Sequence, residues 1–348
     1  MLHVLSHSVY QDLSMFGEDP AAALSSMGCD GLELLTSYQR PDPMYAGLTR
    51  TVHLPYAPDW LAAWEDRPVD MPDDYAVYHC YGRGREELVG NVRTALECAS
   101  ALSPAYGVFH ACNADTSEIF RRVYSRPDSY VVRELCEMMN TVVGGMPGGE
   151  PPVRVLFENL WWPGLRLLGD AGFRYLESKL EFSDWGLCVD TGHMMSCLPT
   201  TSEEDGIERL LKVFDGYGAD MVDRIQAVHF HWSATYRYRS SFEEREWAGP
   251  FDEVIAEANA HASRIDRHLP FSDPRCAELL EALSPEYVVH EMLGSEAGVL
   301  ENFRRQRSLL PRALGNPIYR TFFYSGQRNK EWHASKRQST GSSTRPSA

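Results

Sequence analysis

The 348-residue chain lacks most of the features that would assign it to a class outright. No apolar run approaches the ~18 to 20 residues that a membrane-spanning helix needs. The opening residues, MLHVLSHSVYQDL, carry no basic n-region and run straight into strand-like sequence, which predicts no signal peptide. Neither glycine-rich phosphate turn is present, GxGxxG or GxxxxGK followed by Ser or Thr, so the usual nucleotide-binding folds lose their signature. The eight cysteines contain no CxxC pair and lie scattered through a chain too long to need staples. They read as free thiols in a reducing cytoplasm. Positive charge is scarce: 33 Lys and Arg face 49 Asp and Glu, a formal net charge of −16. That excludes a broad electrostatic grip on nucleic acid but not a local metal-lined site, because cations bring their own charge.

What is present is a rhythm of short apolar runs. His3 to Val9, Gly31 to Leu35, Arg50 to Leu54, Tyr106 to His110, Val153 to Glu158, the stretch opening at Trp185, Ile225 to His231 and Tyr287 to Glu291 read as eight strands. Helical patterns lie over about Pro20 to Met27, Arg85 to Leu102, Val131 to Val143, Glu203 to Tyr217, Pro274 to Leu283 and Glu296 to Leu310. Eight apolar strands with interspersed helices predict an α/β fold, a closed (β/α)8 TIM barrel, over a doubly wound open sheet. One barrel domain is expected over 1–324, with a long excursion at 233–263 that contains the helix-like PFDEVIAEANAHA. From 325 to 348 the composition turns polar, basic and nearly free of aliphatics, which predicts a disordered tail.

The organising stretch is WGLCVDTGHMMS, Trp185 to Ser196. A short buried strand ends in Asp190, and His193 follows across a Thr-Gly turn. Spacing alone also fits an Asp that merely caps the next helix. The other strands decide the matter, because they too end in ionisable side chains: Glu33, His53, His110, Glu158, His229 with His231, and Glu291, with Asp266 and His268 in the loop after the seventh. In a barrel these ends converge on one mouth. So many carboxylates and imidazoles repel or desolvate one another unless cations lie between them. Mixed His and carboxylate donors without a thiolate suit Zn, Mn, Co or Fe better than Ca.

These residues resemble the xylose-isomerase-like TIM-barrel superfamily, which contains endonuclease IV and the sugar phosphate isomerases and epimerases. The resemblance runs from about His3 to Leu310 and rests on VHLPY (His53), FHACN (His110), LFENL (Glu158), CVDTGH (Asp190, His193), VHFH (His229), DRHLP (Asp266, His268) and VVHEM (Glu291). The ketose epimerase branch implies one divalent ion (Mn, Co, Fe, Mg or Zn) held by Glu158, Asp190, His229 and Glu291. The two glutamates then move protons on opposite faces of a substrate carbon through an enediolate. His53, His110, His193, Asp266 and His268 are further metal or substrate positions. The endonuclease IV branch implies three zinc ions on all nine of those residues and phosphodiester cleavage in abasic DNA. Three departures set the chain apart from that branch: the acidic body, which lacks a DNA-tracking basic stripe, Asn-Leu-Trp-Trp-Pro-Gly after Glu158, and Phe-His-Trp-Ser after His229, where the repair enzymes have Asn-Asp.

Tyr56, Trp161 and Trp162 are candidates for an aromatic wall against substrate, and Arg237 for a contact to an anionic group. The expected activity is metal-dependent isomerisation or epimerisation of a small, carbohydrate-like carbonyl compound in the cytoplasm, with no membrane partner. Nucleic acid is a partner only under the endonuclease reading. A barrel that binds metal or ligand without catalysis is the third class.

Overall fold

A computed structural model describes residues 1–311 of the chain; the expected tail at 325–348 and the stretch before it lie outside the described residues. Eight parallel strands close into a barrel in chain order: β1 (Leu2–Ser8), β2 (Gly31–Leu35), β3 (Thr49–His53), β4 (Gly107–His110), β5 (Val155–Glu158), β6 (Trp185–Asp190), β7 (Ile225–His229) and β8 (Tyr287–His290). β1 closes the ring against β8, with Leu2 opposite Tyr287 and Leu5 opposite His290. This is the (β/α)8 barrel that the strand rhythm predicts.

Strand alternation builds two cores from one sequence. Val4, Val108, Leu156, Cys188, Ala227 and Val289 point inward and fill the barrel with Tyr106 and Tyr287. Their neighbours Leu5, Phe109, Phe157, Leu187, Val228 and Val288 point outward and pack beneath the helices. The next inward position after this filled layer is His110 on β4, Glu158 on β5, Asp190 on β6 and, one residue past the end of β8, Glu291. The period of two that packs the barrel therefore also delivers the polar residues to its C-terminal mouth.

The connections depart from the sequence reading where short helices hide among prolines. The stretch after β3, expected as a long connection, holds the helices Trp60–Trp64 and Asp73–Cys80 before Arg85–Ser100. The first survives at five residues because every one of its side chains is buried, so packing replaces helix propensity. After β2 only a short 3-10 turn, Pro43–Tyr45, precedes β3. The segment after β5 stays irregular until Ala171–Lys179. Gly164 pins that segment across the mouth: its φ of 139° is open to glycine, and a Cβ there would lie 2.5 Å from the Ala111 carbonyl oxygen. The stretch at 233–263 contains the helix Tyr236–Ser241 and enters Phe251–Ile265. Among the described residues no helix is long and apolar enough to cross a membrane. All eight cysteines are unpaired.

His79 shows how burial couples this scaffold to pH. Its Nε2–H donates to Thr116 Oγ1 at 2.9 Å, and that hydroxyl donates to Asp59 Oδ2 at 2.8 Å. Burial pushes the imidazole pKa down to about 4. The unfolded chain, with an ordinary histidine near 6.5, takes up the proton first as pH falls. The stabilisation is therefore complete above about pH 6.5 and is lost toward pH 4, with a slope of ~1.4 kcal/mol per pH unit. Urea midpoints measured at pH 7, 6 and 5 are expected to fall less steeply in His79→Gln than in wild type.

Candidate metal centre

Glu158 ends β5 fully buried, and four imidazoles surround its carboxylate. His229 Nδ1 and His193 Nδ1 approach Oε1 at 3.1 and 3.4 Å, while His53 Nε2 and His110 Nε2 approach Oε2 at 3.3 Å each. These rings come from the ends of β3, β4 and β7 and from the helix that follows β6. Burial opposes ionisation of Glu158, yet His229 and His110 outweigh it and hold the carboxyl well below the usual range.

Asp190 divides its oxygens. Oδ1 accepts the His193 backbone N–H at 2.6 Å and caps the helix Thr191–Cys197, while Oδ2 lies 2.8 Å from His231 Nε2. The capping Asp and the site Asp are thus one residue. Asn159 fixes this corner: its side chain donates to the Asp190 carbonyl at 3.0 Å and accepts the Asp190 N–H at 2.9 Å, and its own carbonyl accepts His193 Nδ1–H at 2.8 Å. From there His193 Nε2 reaches Asp266 Oδ2 at 3.2 Å, and His268 Nε2 reaches the same oxygen at 2.5 Å. His268 Nδ1 lies 3.6 Å from Glu291 Oε2, and His229 Nδ1 lies 3.4 Å from it.

All nine positions drawn from the strand ends and the 266–268 loop therefore meet at one mouth. They form overlapping groups whose donor atoms lie within 4.8 Å of one another: His53, His110 and Glu158; Glu158, Asp190 and His193; Asp190, His229 and Glu291; and His193, Asp266 and His268 joined by His231. Burial works against charge here, and charged neighbours outweigh it at several members. Asp190 and Asp266 raise His193 well above the ordinary histidine value, Cys188 followed by Glu158 and Glu291 does the same to His229, and Asp266 lifts His268 to about 9. The imidazoles in turn depress Asp266 and Glu291. At His110 burial wins and lowers the ring.

This donor set fits divalent cations. His53 spends its Nδ1–H on the Leu54 carbonyl at 2.7 Å, so its neutral ring turns a lone pair on Nε2 toward His110 Nε2, 3.1 Å away, and Glu158. Two facing ring nitrogens and a carboxylate oxygen around one point make a ligand set. Asp266 Oδ1 and His231 Nδ1 are buried without a hydrogen-bond partner. The group His53, His110 and Glu158, the group Asp190, His229, Glu291 and Glu158, and the group His193, Asp266 and His268 would each hold one ion.

The proposed substrate contacts fall less evenly. Tyr56 stacks on His110 with ring centroids 4.7 Å apart and stays about half exposed, at 48 %. Trp161 is buried edge-on against His193 at 5.1 Å, and Trp162 packs on Trp161 at 4.8 Å. Arg237 lies exposed on Tyr236–Ser241, and among the described residues no hydrogen bond or ion pair links its guanidinium to the cluster.

Two further residues belong to the site: Glu33, which the sequence places among the ionisable strand ends but in neither ligand set, and Asn159, to which it assigns no role. Glu33 is fully buried on β2, accepts Thr51 Oγ1–H at 3.0 Å, and places Oε1 2.8 Å from His229 Nε2, the ring nitrogen that faces away from Glu158. The signal for it is its inward parity on GLELL. Asn159 carries none, because its function lies in backbone contacts across strands.

No protein-family model matches the chain, and no curated protein matches it. Solved structures do. Endonuclease IV from Thermus thermophilus is 15% identical, with a TM-score of 0.51, over 89% of this chain and 98% of that one. 3-Keto-D-glucoside 4-epimerase from E. coli is 13% identical over 88% and 99%, with a TM-score of 0.48. D-Psicose 3-epimerase from Clostridium cellulolyticum is 11% identical over 89% and 96%, with a TM-score of 0.44. The chain shares its (β/α)8 TIM-barrel fold with endonuclease IV.

Glu33 lies 2.8 Å behind His229, in the position of a carboxylate that backs a metal-facing imidazole. Glu33→Gln keeps the shape and the Thr51 contact but removes the charge. Its cation affinity, measured by chelator competition, is expected to fall ~10- to 100-fold, with the barrel's circular dichroism unchanged.

Proposed function

We propose that the chain is a metal-dependent hydrolase of phosphate esters whose mouth holds two or three divalent cations, with Glu158 shared between two of them. The observation that carries this reading is the enclosure of Glu158 by four imidazoles, two at each carboxylate oxygen. A carboxylate with a separate ligand group on each side is built to bridge. It is poorly built for the proton transfer that a one-metal isomerase asks of it: it is fully buried, its oxygens are both engaged, and its proton affinity is depressed. Glu291, the other half of that acid/base pair, is likewise turned toward His229 and His268. The nine positions shared with the endonuclease IV pattern support the same choice.

Cations held there would supply Lewis acidity toward phosphate oxygens and a water acidified enough to attack at neutral pH. The chain's own residues provide the rest. His53 is oriented by the Leu54 carbonyl, and His193 by the Asn159 carbonyl, so neither ring has to reorganise when substrate arrives. Tyr56 offers a half-exposed ring above His110, suited to the apolar face of an ester group. The acidic body, at −16, favours a small or short substrate over one that must be gripped along a phosphate backbone.

Elemental analysis of protein purified without chelator is expected to find two or three Zn, Mn, Co or Fe per chain. Bis(p-nitrophenyl) phosphate is expected to be cleaved in an EDTA-sensitive way. Glu158→Gln is expected to lose bound metal and to lower the rate by more than the ~100-fold typical of outer-shell changes. One ion per chain, together with exchange of a sugar's carbon-bound hydrogen with solvent, would instead establish the isomerase.

A further inference from the structure

β7 ends at His229, and Phe230 still donates its N–H to the Val289 carbonyl of β8. The next residue, His231, returns to the mouth and is fully buried. It lies outside the nine positions of the endonuclease IV pattern. Its Nε2 sits 2.8 Å from Asp190 Oδ2 and 3.9 Å from Glu291 Oε2. Its ring stacks on His268, with centroids 4.1 Å apart and planes within 10°. One of its nitrogens lies within 4.8 Å of donors from His193, Asp266 and His268.

Three features show that the fold makes room for this imidazole. Gly192 is the only residue type that fits beside it, because a Cβ there would lie 2.1 Å from His231 Cε1. Among the described residues, His231 Nδ1 and Asp266 Oδ1 are both buried without a hydrogen-bond partner, which is costly for polar atoms removed from water. His268 adopts a φ of 45°, a left-handed conformation uncommon for a residue other than glycine, and its ring stacks on that of His231. Buried polar atoms and backbone strain at one spot are not explained by packing alone.

We propose that His231 is a fourth protein ligand of the cation at His193, Asp266 and His268, which makes this position a closed site. The assignment rests on the multinuclear reading above. Four protein donors are the complement of a structural zinc site, whereas three with an open position are that of a catalytic one. The closed site ties the 266–268 loop to β6 and β7. Water-activating chemistry then belongs at His53, His110 and Glu158, the three-donor group beneath half-exposed Tyr56.

The rival role for His231 is to position Asp190 by hydrogen bonding. His231→Gln separates the two, because a glutamine amide still donates to Asp190 but is a poor metal ligand. Wild type and variant, loaded with Zn and passed over a competing chelator, are counted by elemental analysis. The variant is expected to retain one ion fewer per chain. An equal count, retained against the same chelator, would overturn the assignment while leaving the multinuclear reading intact. A wild type that holds a single ion would overturn both. Gly192→Ala gives an independent test if the first variant does not fold: it displaces the ring without removing a donor, and it is also expected to lose one ion. A folded Gly192→Ala with the wild-type count would refute the proposal.

Discussion

The structure depends on one buried anion. Glu158 has left water entirely, a transfer that costs several kcal/mol for an unpaired carboxylate, and it is tolerated because rings from four separate elements converge on it. Those rings share the constraint. A histidine placed between Glu158, Asp190 and Glu291 is drawn toward the protonated state, and a carboxylate among histidines toward the ionised one. The mouth is an electrostatic assembly in which each member is acceptable only because the others are there. Barrel closure makes this possible, since it brings the ends of eight strands to one rim.

The supports behind the donors follow the same logic at lower charge. Asn159 spends its side-chain amide and its backbone carbonyl on Asp190 and His193, and Glu33 with Thr51 lies behind His229. None of these residues needs to touch a substrate. They fix ring angles and tautomers, which determines whether a set of donors is merely crowded or is ready to bind an ion.

Much of this is legible in the chain. The eight strands announce themselves as apolar runs, and the period of two that fills the barrel with Val108, Leu156, Cys188 and Val289 predicts which residue of each run reaches the mouth. Where sequence reasoning falls short, the cause is tertiary. Trp60–Trp64 is helical because it is buried, not because five residues between prolines favour a helix. The encirclement of Glu158 is a property of three strands and a helix at once, so the sequence can supply its neighbours without revealing that both oxygens are taken. His231 looks like a spare copy of His229 for the same reason. Its own neighbours, Gly192 and His268, lie about 40 residues away in either direction.

The double use of Asp190 carries a consequence for selectivity. One oxygen starts the helix Thr191–Cys197, so the spacing between Asp190 and His193 is set by the first turn of that helix, whatever occupies the mouth. Flexible loops that supply donors adjust to ionic radius, as calcium-binding loops do. Donors measured out by helical pitch do not: Asp190 and His193 belong to neighbouring donor groups, so the first helical turn holds those two positions at one separation and favours sets of cations that suit it.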